Sequence, residues 1–361
     1  MAQRLAKLVS MAAVAPAIGP GKGLDYWRLV RRQSEDRVTR VYESIWRDAA
    51  DELGIELVSS GDGTFTFHQD GRSAAVWNWR TPLSEHDAVE SALNKPEVGR
   101  RIAAAAIPVP AQLEFSTRDF RGAFAFLAEH GGPCVVKPAA LSGGYGVTCG
   151  IRTRHNLVQA LLAAAAFDRR LMIERQVEGD VYRFLFLDGV LIDVLLRHPS
   201  RVTGDGSSTI IELIGAENVR RVEAGGFAGF HLIRPDLDCV LTLRAAGLRA
   251  RSVPAAGVQV PVKTSTGNSG ASDTETIEPP PAPALVEEAA AAVRAVGTRL
   301  AGVDLVTTDL GTDLRTAGGA ILEVNVPPGL HYHYLVAAPE RARRIAVPIL
   351  RCLIELNTTS D

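Results

Sequence analysis

Residues 302–325 read GVDLVTTDLGTDLRTAGGAILEVN. The apolar runs Gly302–Thr307 and Gly319–Asn325 predict two strands, with turn-forming residues at Asp309–Thr312. Side chains alternate along a strand, so Glu323 and Asn325 share one face while Leu322 and Val324 take the other. If the two strands pair, Asp304 joins the Glu323 face. Two carboxylates and an amide oxygen are hard ligands of the kind Mg²⁺ takes, with waters and substrate phosphates completing its shell. An ionised carboxylate in an apolar strand is costly unless it is paired or metal-bound. Any one of the three alone reads most simply as a solvated strand end; the ordered set favours a cation site.

Working upstream, Lys137 ends the apolar strand Cys134–Lys137 and is followed by Pro138 and the loop Leu141-Ser142-Gly143-Gly144-Tyr145-Gly146-Val147. Glycines let backbone N–H groups approach phosphate oxygens, and a lysine adds a point charge. No Lys-Ser or Lys-Thr follows the glycines, so this is not a P-loop, and it is not a GxGxxG dinucleotide fingerprint. On its own it reads as a turn. Ile173-Glu174-Arg175-Gln176-Val177-Glu178-Gly179 leaves a strand in a manner that can offer backbone groups to a flat heterocycle.

The rest of the chain alternates helices and short strands, which predicts an α/β class in its α+β form. Helices are expected over Tyr26–Leu53, 95–106, Thr117–His130, Leu157–Phe167, Ala284–Leu300 and Pro339–Leu356. Strands are expected over Ile55–Ser59, Thr64–His68, Ala74–Trp79, Leu171–Glu174, Tyr182–Leu187 and Val190–Leu196, with Asp70-Gly71 and Asp188-Gly189 as hairpin turns. Between 198 and 285 the periodicity weakens, and Thr264–Thr276 reads as a polar loop of functional length. The expected organisation is a tail or short helix over 1–23, a small lobe over 24–94, a main domain over 95–335 dividing near 175, and a closing helix over 336–361. Trp77 and Trp79 alternate on one expected strand, where packing is favoured over substrate stacking. The run Arg341-Arg343-Arg344 reads as a solvated helix face.

Composition narrows the function classes. With 39 Lys and Arg against 41 Asp and Glu, the chain lacks the basic excess that nucleic-acid binding needs. Its four cysteines are far apart without a CxxC pair, which argues against a zinc site and a disulfide framework. The apolar segment Leu5–Ile18 is broken by Lys7, Ser10 and Pro16, and no membrane-length run follows. The expectation is a cytoplasmic enzyme with no membrane partner.

Taken in order, these motifs resemble the ATP-grasp superfamily: Val135-Val136-Lys137-Pro138, the Gly-rich loop, Ile173–Gly179, Tyr182-Arg183, Gly204-Asp205-Gly206 with Thr209-Ile210-x-Glu212-Leu213-Ile214, then Asp304 and Glu323-x-Asn325. The likeness is greatest to the ATP-grasp module of cyanophycin synthetases and fused bacterial glutathione synthetases, over about residues 94–335. It implies an ATP-grasp fold, two α+β subdomains gripping ATP. It also implies that Lys95 and Lys137 hold phosphates, that Ser142, Gly143, Gly144 and Gly146 belong to a phosphate-covering flap, and that Glu174, Arg175, Gln176 and Val177 form the adenine hinge. Asp304, Glu323 and Asn325 match ligands of two Mg²⁺ ions. Arg183, Arg197 and His333 match positions beside the transferred phosphate or the substrates. The acidic ribose residue that commonly precedes the Tyr-Arg pair is replaced by Val181, with Asp180 one place earlier; Gly99 and His331 also depart from the family's basic positions.

The activity implied is a carboxylate–amine ligation that forms a peptide or amide bond through an acyl phosphate and releases ADP and phosphate. Small-molecule carboxylate and amine substrates are the expected partners. Dimers are common in the family, which puts a homodimer among the expected assemblies. An ATP-grasp kinase acting on a hydroxyl is the alternative, though the sequence has no basic cluster for a highly charged substrate; a non-catalytic nucleotide-binding protein ranks third. Of the candidate bases for the amine, His331 and His333 are the two considered.

Overall fold

The computed structural model describes residues 35–84, 89–90, 92, 94–141, 143–224, 231–267 and 270–356. The expected 1–23 tail, the start of the Tyr26–Leu53 helix and Ser142 lie outside them. The first described element is helix α1 (Glu35–Leu53), followed by the meander β1 (Glu56–Ser59), β2 (Thr64–Gln69) and β3 (Arg72–Trp77). Helix α2 (Lys95–Ala104) then leads to a four-stranded antiparallel sheet built from β4 (Gln112–Ser116), β5 (Cys134–Pro138), β6 (Thr148–Ile151) and β7 (Arg170–Arg175). Its strand order is β4-β7-β5-β6, with α3 (Arg121–His130) and α4 (Arg154–Ala165) in the connections.

The second main sheet has five antiparallel strands. They are β8 (Asp180–Leu187), β9 (Val190–Arg197), β12 (Thr274–Thr276), β13 (Leu300–Thr307) and β14 (Ala320–Asn325), in the order β12-β9-β8-β13-β14. Asp188 and Gly189 both take positive φ (50° and 77°), the geometry that lets a two-residue turn follow the twist of β8 and β9. Between β9 and β12 run the ribbon β10 (Arg201–Thr203) and β11 (Gln259–Pro261), and helices α5 (Ile210–Ala224) and α6 (Leu237–Ala245). Helix α7 (Pro283–Val296), the single turn α8 (Leu314–Ala317) and the closing helix α9 (Ala346–Leu356) complete the chain.

Three apolar clusters hold these layers. Leu157, Leu161, Leu171 and Ile173 pack with Ile210, Ile214, Leu237 and Leu243, so α5 and α6 share the core of the four-stranded sheet. Val98 and Ile102 of α2 and Leu285 and Val293 of α7 cover one face of the five-stranded sheet, against Phe184, Phe186, Val303, Leu305, Ile321 and Val324. The third cluster joins Tyr42, Trp46, Phe65 and Phe67 to Leu185, Leu187, Leu300 and the α9 residues Ile349, Leu350 and Leu353. The expected N-terminal lobe therefore shares its core with the opposite face of that sheet, and the remainder of this face is left for a cleft.

Several elements differ from the sequence reading. Strands β4 and β6 lie in stretches where the sequence pattern predicts no element: they are short, four or five residues, and only their partners β7 and β5 identify them. The weakly patterned 198–285 region holds α5, whose buried side includes Asn218 and Arg221, so its apolar period is broken by polar residues that find partners inside. The closing helix starts at Ala346 rather than Pro339. Pro348 lacks an N–H and its ring clashes with the carbonyl four residues back, so it tolerates only the first turn of a helix. Strand β3 ends at Trp77, and Asn78 turns the chain with φ 51°, so Trp77 and Trp79 do not share a strand.

Candidate active site

A cleft of about 530 Å³ lies between the two main sheets. The five-stranded sheet supplies its charged floor through register. Asp304 on β13 stands directly opposite Arg183 on β8 and Glu323 on β14, while Asn325 faces Gly302 on the same edge. Arg183 donates from Nε and an Nη to the two oxygens of Asp304, both at 2.7 Å. Asn325 Nδ2 donates to Asp304 Oδ2 at 3.3 Å, and Arg197 lies 3.7 Å from that oxygen. Lys95, at the first position of α2, pairs with Glu323. Burial alone would raise the Glu323 pKa; Lys95, Lys137 and Arg183 outweigh it and hold this carboxyl well below the usual range. Burial likewise opposes the Arg183 charge, but Asp304 keeps it firmly protonated.

The four-stranded sheet supplies the other wall. Lys137 and Glu174, on neighbouring strands, pair at 2.7 Å and are both buried. Burial disfavours the Lys137 ammonium, yet Glu174 keeps its pKa above the ordinary lysine value. The segment after β7 is anchored from both sides. Arg175 N donates to Ala111 O, Gln176 N to Pro133 O, and the Gln176 amide oxygen accepts from Gly150 N at 2.8 Å. Val177 and Asp180 line the cleft beyond this anchor, as does Val181.

Two loops meet over the opening. Gly143, Gly144 and Gly146 have φ of 71°, 65° and 70°, a backbone path that favours glycine. Gly144 and Gly267 stand back to back: a Cβ added at Gly267 would lie 2.9 Å from Gly144 Cα. Arg234 pins the junction, its guanidinium 3.9 Å from the centre of the Tyr145 ring and bonded to the Gly143 carbonyl. Beneath them, the buried Asp238 carboxylate accepts from Cys149 N (3.0 Å), Thr264 N (3.2 Å), Ser265 N (3.1 Å) and Ser265 Oγ (2.9 Å), with Lys263 Nζ at 3.2 Å. One carboxylate thus ties strand β6 to the loop after Lys263. Burial would raise the Asp238 pKa, but Lys263 and these N–H donors keep it below its ordinary value.

At the other end, the Tyr332 ring lies between Arg183 (4.9 Å) and Arg197 (4.7 Å). Its neighbour His331 bonds Tyr42 Oη through Nδ1 at 2.8 Å and meets His231 Nε2 at 3.3 Å. Burial, followed by Arg197 and Arg221, lowers the His231 pKa to about 3; burial and His231 lower that of His331 well below 6.5. The unfolded chain therefore takes up these protons first as pH falls. Stability conferred by neutral His231 is complete above pH 6.5 and is lost progressively between 6.5 and about 3. A urea-midpoint series from pH 7 to pH 5 is expected to show a fall of about 2 kcal/mol from His231, which His231→Asn removes.

The cleft brings together Lys95, Lys137, Gly143, Gly144, Glu174, Arg175, Gln176, Val177, Asp180, Arg183, Arg197, Asp304, Glu323 and Asn325. Gly146 lies just outside its lining, packed towards Phe167 and Pro138. His333 is not brought in. Its ring is fully buried with Nδ1 2.6 Å from Asp193, and its Nε2 has no partner among the described residues. Gly204-Asp205-Gly206 and Thr209-Ile210-x-Glu212 also lie outside the lining and build the start of α5. Asp205 accepts from Ser207 N and Ser208 N, and Thr209 N donates to Glu212 at 3.0 Å. Arg234, Asp238, Lys263, His231 and Tyr332 were not singled out from the sequence; Lys263, directly before the polar loop, offered the one local signal. Among the described residues, no group of three or more His, Cys, Asp or Glu forms a metal-ligating cluster, since the set on β13 and β14 counts only two carboxylates. No described helix is long and apolar enough to cross a membrane.

No family model matches the sequence. Among curated proteins, it is 33% identical over 252 residues to a cyanophycin synthetase of Trichormus variabilis, covering 68% of this chain and 27% of that protein. It is 28% identical over 281 residues to the glutathione biosynthesis bifunctional protein GshAB of Mannheimia succiniciproducens, covering 75% of this chain and 37% of that protein. The chain thus spans about a quarter to a third of the length of these relatives. Among solved structures, a bifunctional glutathione synthetase from Pasteurella multocida superposes with a TM-score of 0.56 at 23% identity, over 88% of this chain and 44% of that one.

Proposed function

We propose that the chain belongs to the ATP-grasp superfamily and is an ATP-dependent ligase that joins a carboxylate to an amine through an acyl phosphate, a reading supported by its likeness to cyanophycin synthetase and to the fold of a bifunctional glutathione synthetase. The observation that carries this reading is the row Arg183–Asp304–Glu323 across the sheet, facing the Lys137–Glu174 pair over one cleft. A carboxylate is a poor electrophile and needs a leaving group, and phosphoryl transfer needs mainly positioning and charge neutralisation.

In this reading, the nucleotide lies along Lys137 and the 174–177 segment, with Asp180 towards the ribose and the glycine flap over the phosphates. The flap includes Ser142, whose position lies outside the described residues. Asp304, Glu323 and Asn325 suit Mg²⁺: their oxygens are hard donors on two paired strands, and these acids already sit against cations in Arg183 and Lys95. Bound there, Mg²⁺ would neutralise phosphate charge. Lys95 and Lys137 then hold phosphate oxygens, and Arg183 and Arg197 hold the acyl phosphate and the oxyanion formed as the amine attacks its carbonyl. The carboxylate oxygen forms the new P–O bond as ADP leaves. The amine nitrogen then forms the C–N bond as phosphate leaves and one proton is lost. The Gly144–Gly267 contact closes the cleft against water, which would otherwise hydrolyse the acyl phosphate.

The test is product analysis with ATP, Mg²⁺ and a panel of amino acids. ADP, inorganic phosphate and an amide in equal amounts are expected. AMP with pyrophosphate would overturn the acyl-phosphate scheme, and a stable phosphorylated product without free phosphate would move the assignment to a kinase.

A further inference from the structure

The part of the cleft beyond the two arginines is aromatic. Trp79, His331 and Tyr332 line it. Their rings continue a chain of contacts that starts at the surface: Trp77 to Trp79 at 6.1 Å, Trp79 to Tyr42 at 5.5 Å, Tyr42 to His331 at 6.0 Å and His331 to Tyr332 at 4.1 Å between centroids. Trp77, at the outer end of this chain of rings, is 46% exposed. The imidazoles here bring no charge, because His331 stacks on His231 within a buried environment that already holds Arg183 and Arg197. At the outer end, exposed Arg80 lies over Trp77 at 5.4 Å.

The direction of this wall gives it a role that rests on the ligase reading above. The acid's carboxylate must meet the terminal phosphate beside Asp304, Arg183 and Arg197. The nucleotide fills the side of Lys137, so the body of the acid extends the other way, past Tyr332 towards His331 and Trp79. A flat ring gains stacking there. A charged side chain would lose water there: Arg183 and Arg197 beside Tyr332 repel a basic group, and for an acidic one they are already engaged by Asp304 and, in this reading, by the acyl phosphate. We propose that Trp79, His331 and Tyr332 form the subsite for the body of the carboxylate substrate and select a flat, uncharged ring over an acidic or basic side chain.

The experiment uses the full chain with ATP, Mg²⁺ and hydroxylamine, which traps an acyl phosphate as a hydroxamate whatever the natural amine. L-phenylalanine, L-aspartate and L-arginine are the probe acids. Phenylalanine is expected to exceed both others at least tenfold in kcat/KM. Trp79→Ala is expected to raise its KM about tenfold with kcat held, and Trp79→Phe to restore it. Calorimetric binding of the same acids with ADP and Mg²⁺ separates the two readings. Trp79-dependent binding of phenylalanine without any hydroxamate supports the subsite and removes the ligase assignment. Hydroxamate formed equally well from aspartate or arginine, or a Trp79→Ala variant with unchanged KM, overturns the subsite and leaves the ligase. Failure of phenylalanine to bind or react also overturns it.

Discussion

Arg183→Met is expected to destabilise the protein by about 3–5 kcal/mol, the range found when one partner of a buried ion pair is removed. Both members are buried, and the two 2.7 Å bonds satisfy both Asp304 oxygens at once. Methionine keeps much of the apolar stem, so the loss reports charge more than volume. Asn325 at 3.3 Å and Arg197 at 3.7 Å remain near Asp304, but neither offers a second bidentate partner. Adding Asp304→Leu should recover most of the loss, because replacing both partners of a buried pair by apolar groups is often neutral. Urea unfolding of the single and double variants measures this. A single-variant loss below about 1 kcal/mol would show that Arg197 takes over the neutralisation.

Glu323→Gln is expected to lower kcat by about 10²–10³-fold, the typical effect of removing one preorganised electrostatic group, with little change in fold. The substitution keeps shape and removes one negative charge from the row opposite Lys95. Glu323 is half-buried against Lys95, so losing its charge is also expected to lower the melting temperature, while the shared shape keeps the fold. The check is ADP release at saturating ATP, alongside a melting curve to confirm folding. Turnover within threefold of the unaltered chain would remove Glu323 from the metal set and weaken the ligase reading itself.

The contrast between these residues marks how far the sequence could be read. Alternation along β14 placed Glu323 and Asn325 on one face without any structure, because a strand's period of two is a local property. Asp304 needed the strand register, which the tertiary structure settles by setting it opposite Glu323. The partners of these acids come from far away in the chain: Arg183 from β8 and Lys95 from α2. Strands β4 and β6 escaped notice for the same reason, as short segments recognisable only beside β7 and β5. Asp238 escaped it too, because its role lies in gathering N–H groups from residues 149, 264 and 265.

The case of His333 runs the other way. It stands two residues from His331 and eight from Asn325, and its alignment with family motifs pointed to the substrates. The short 3₁₀ helix Leu330–His333 turns the two imidazoles apart, His331 into the cleft and His333 into the core beside Asp193. By itself, then, the sequence determined the longer strands and their turns, the same-face relation of Glu323 and Asn325, and an order of motifs that resembles the ATP-grasp superfamily. Only the tertiary structure decided which charges pair, which loops touch over the cleft, and that an aromatic wall ends at Trp79. The physical reason is range: backbone periodicity acts between neighbours in the chain, whereas ion pairing, burial and ring stacking act between residues that meet only once the sheets have packed.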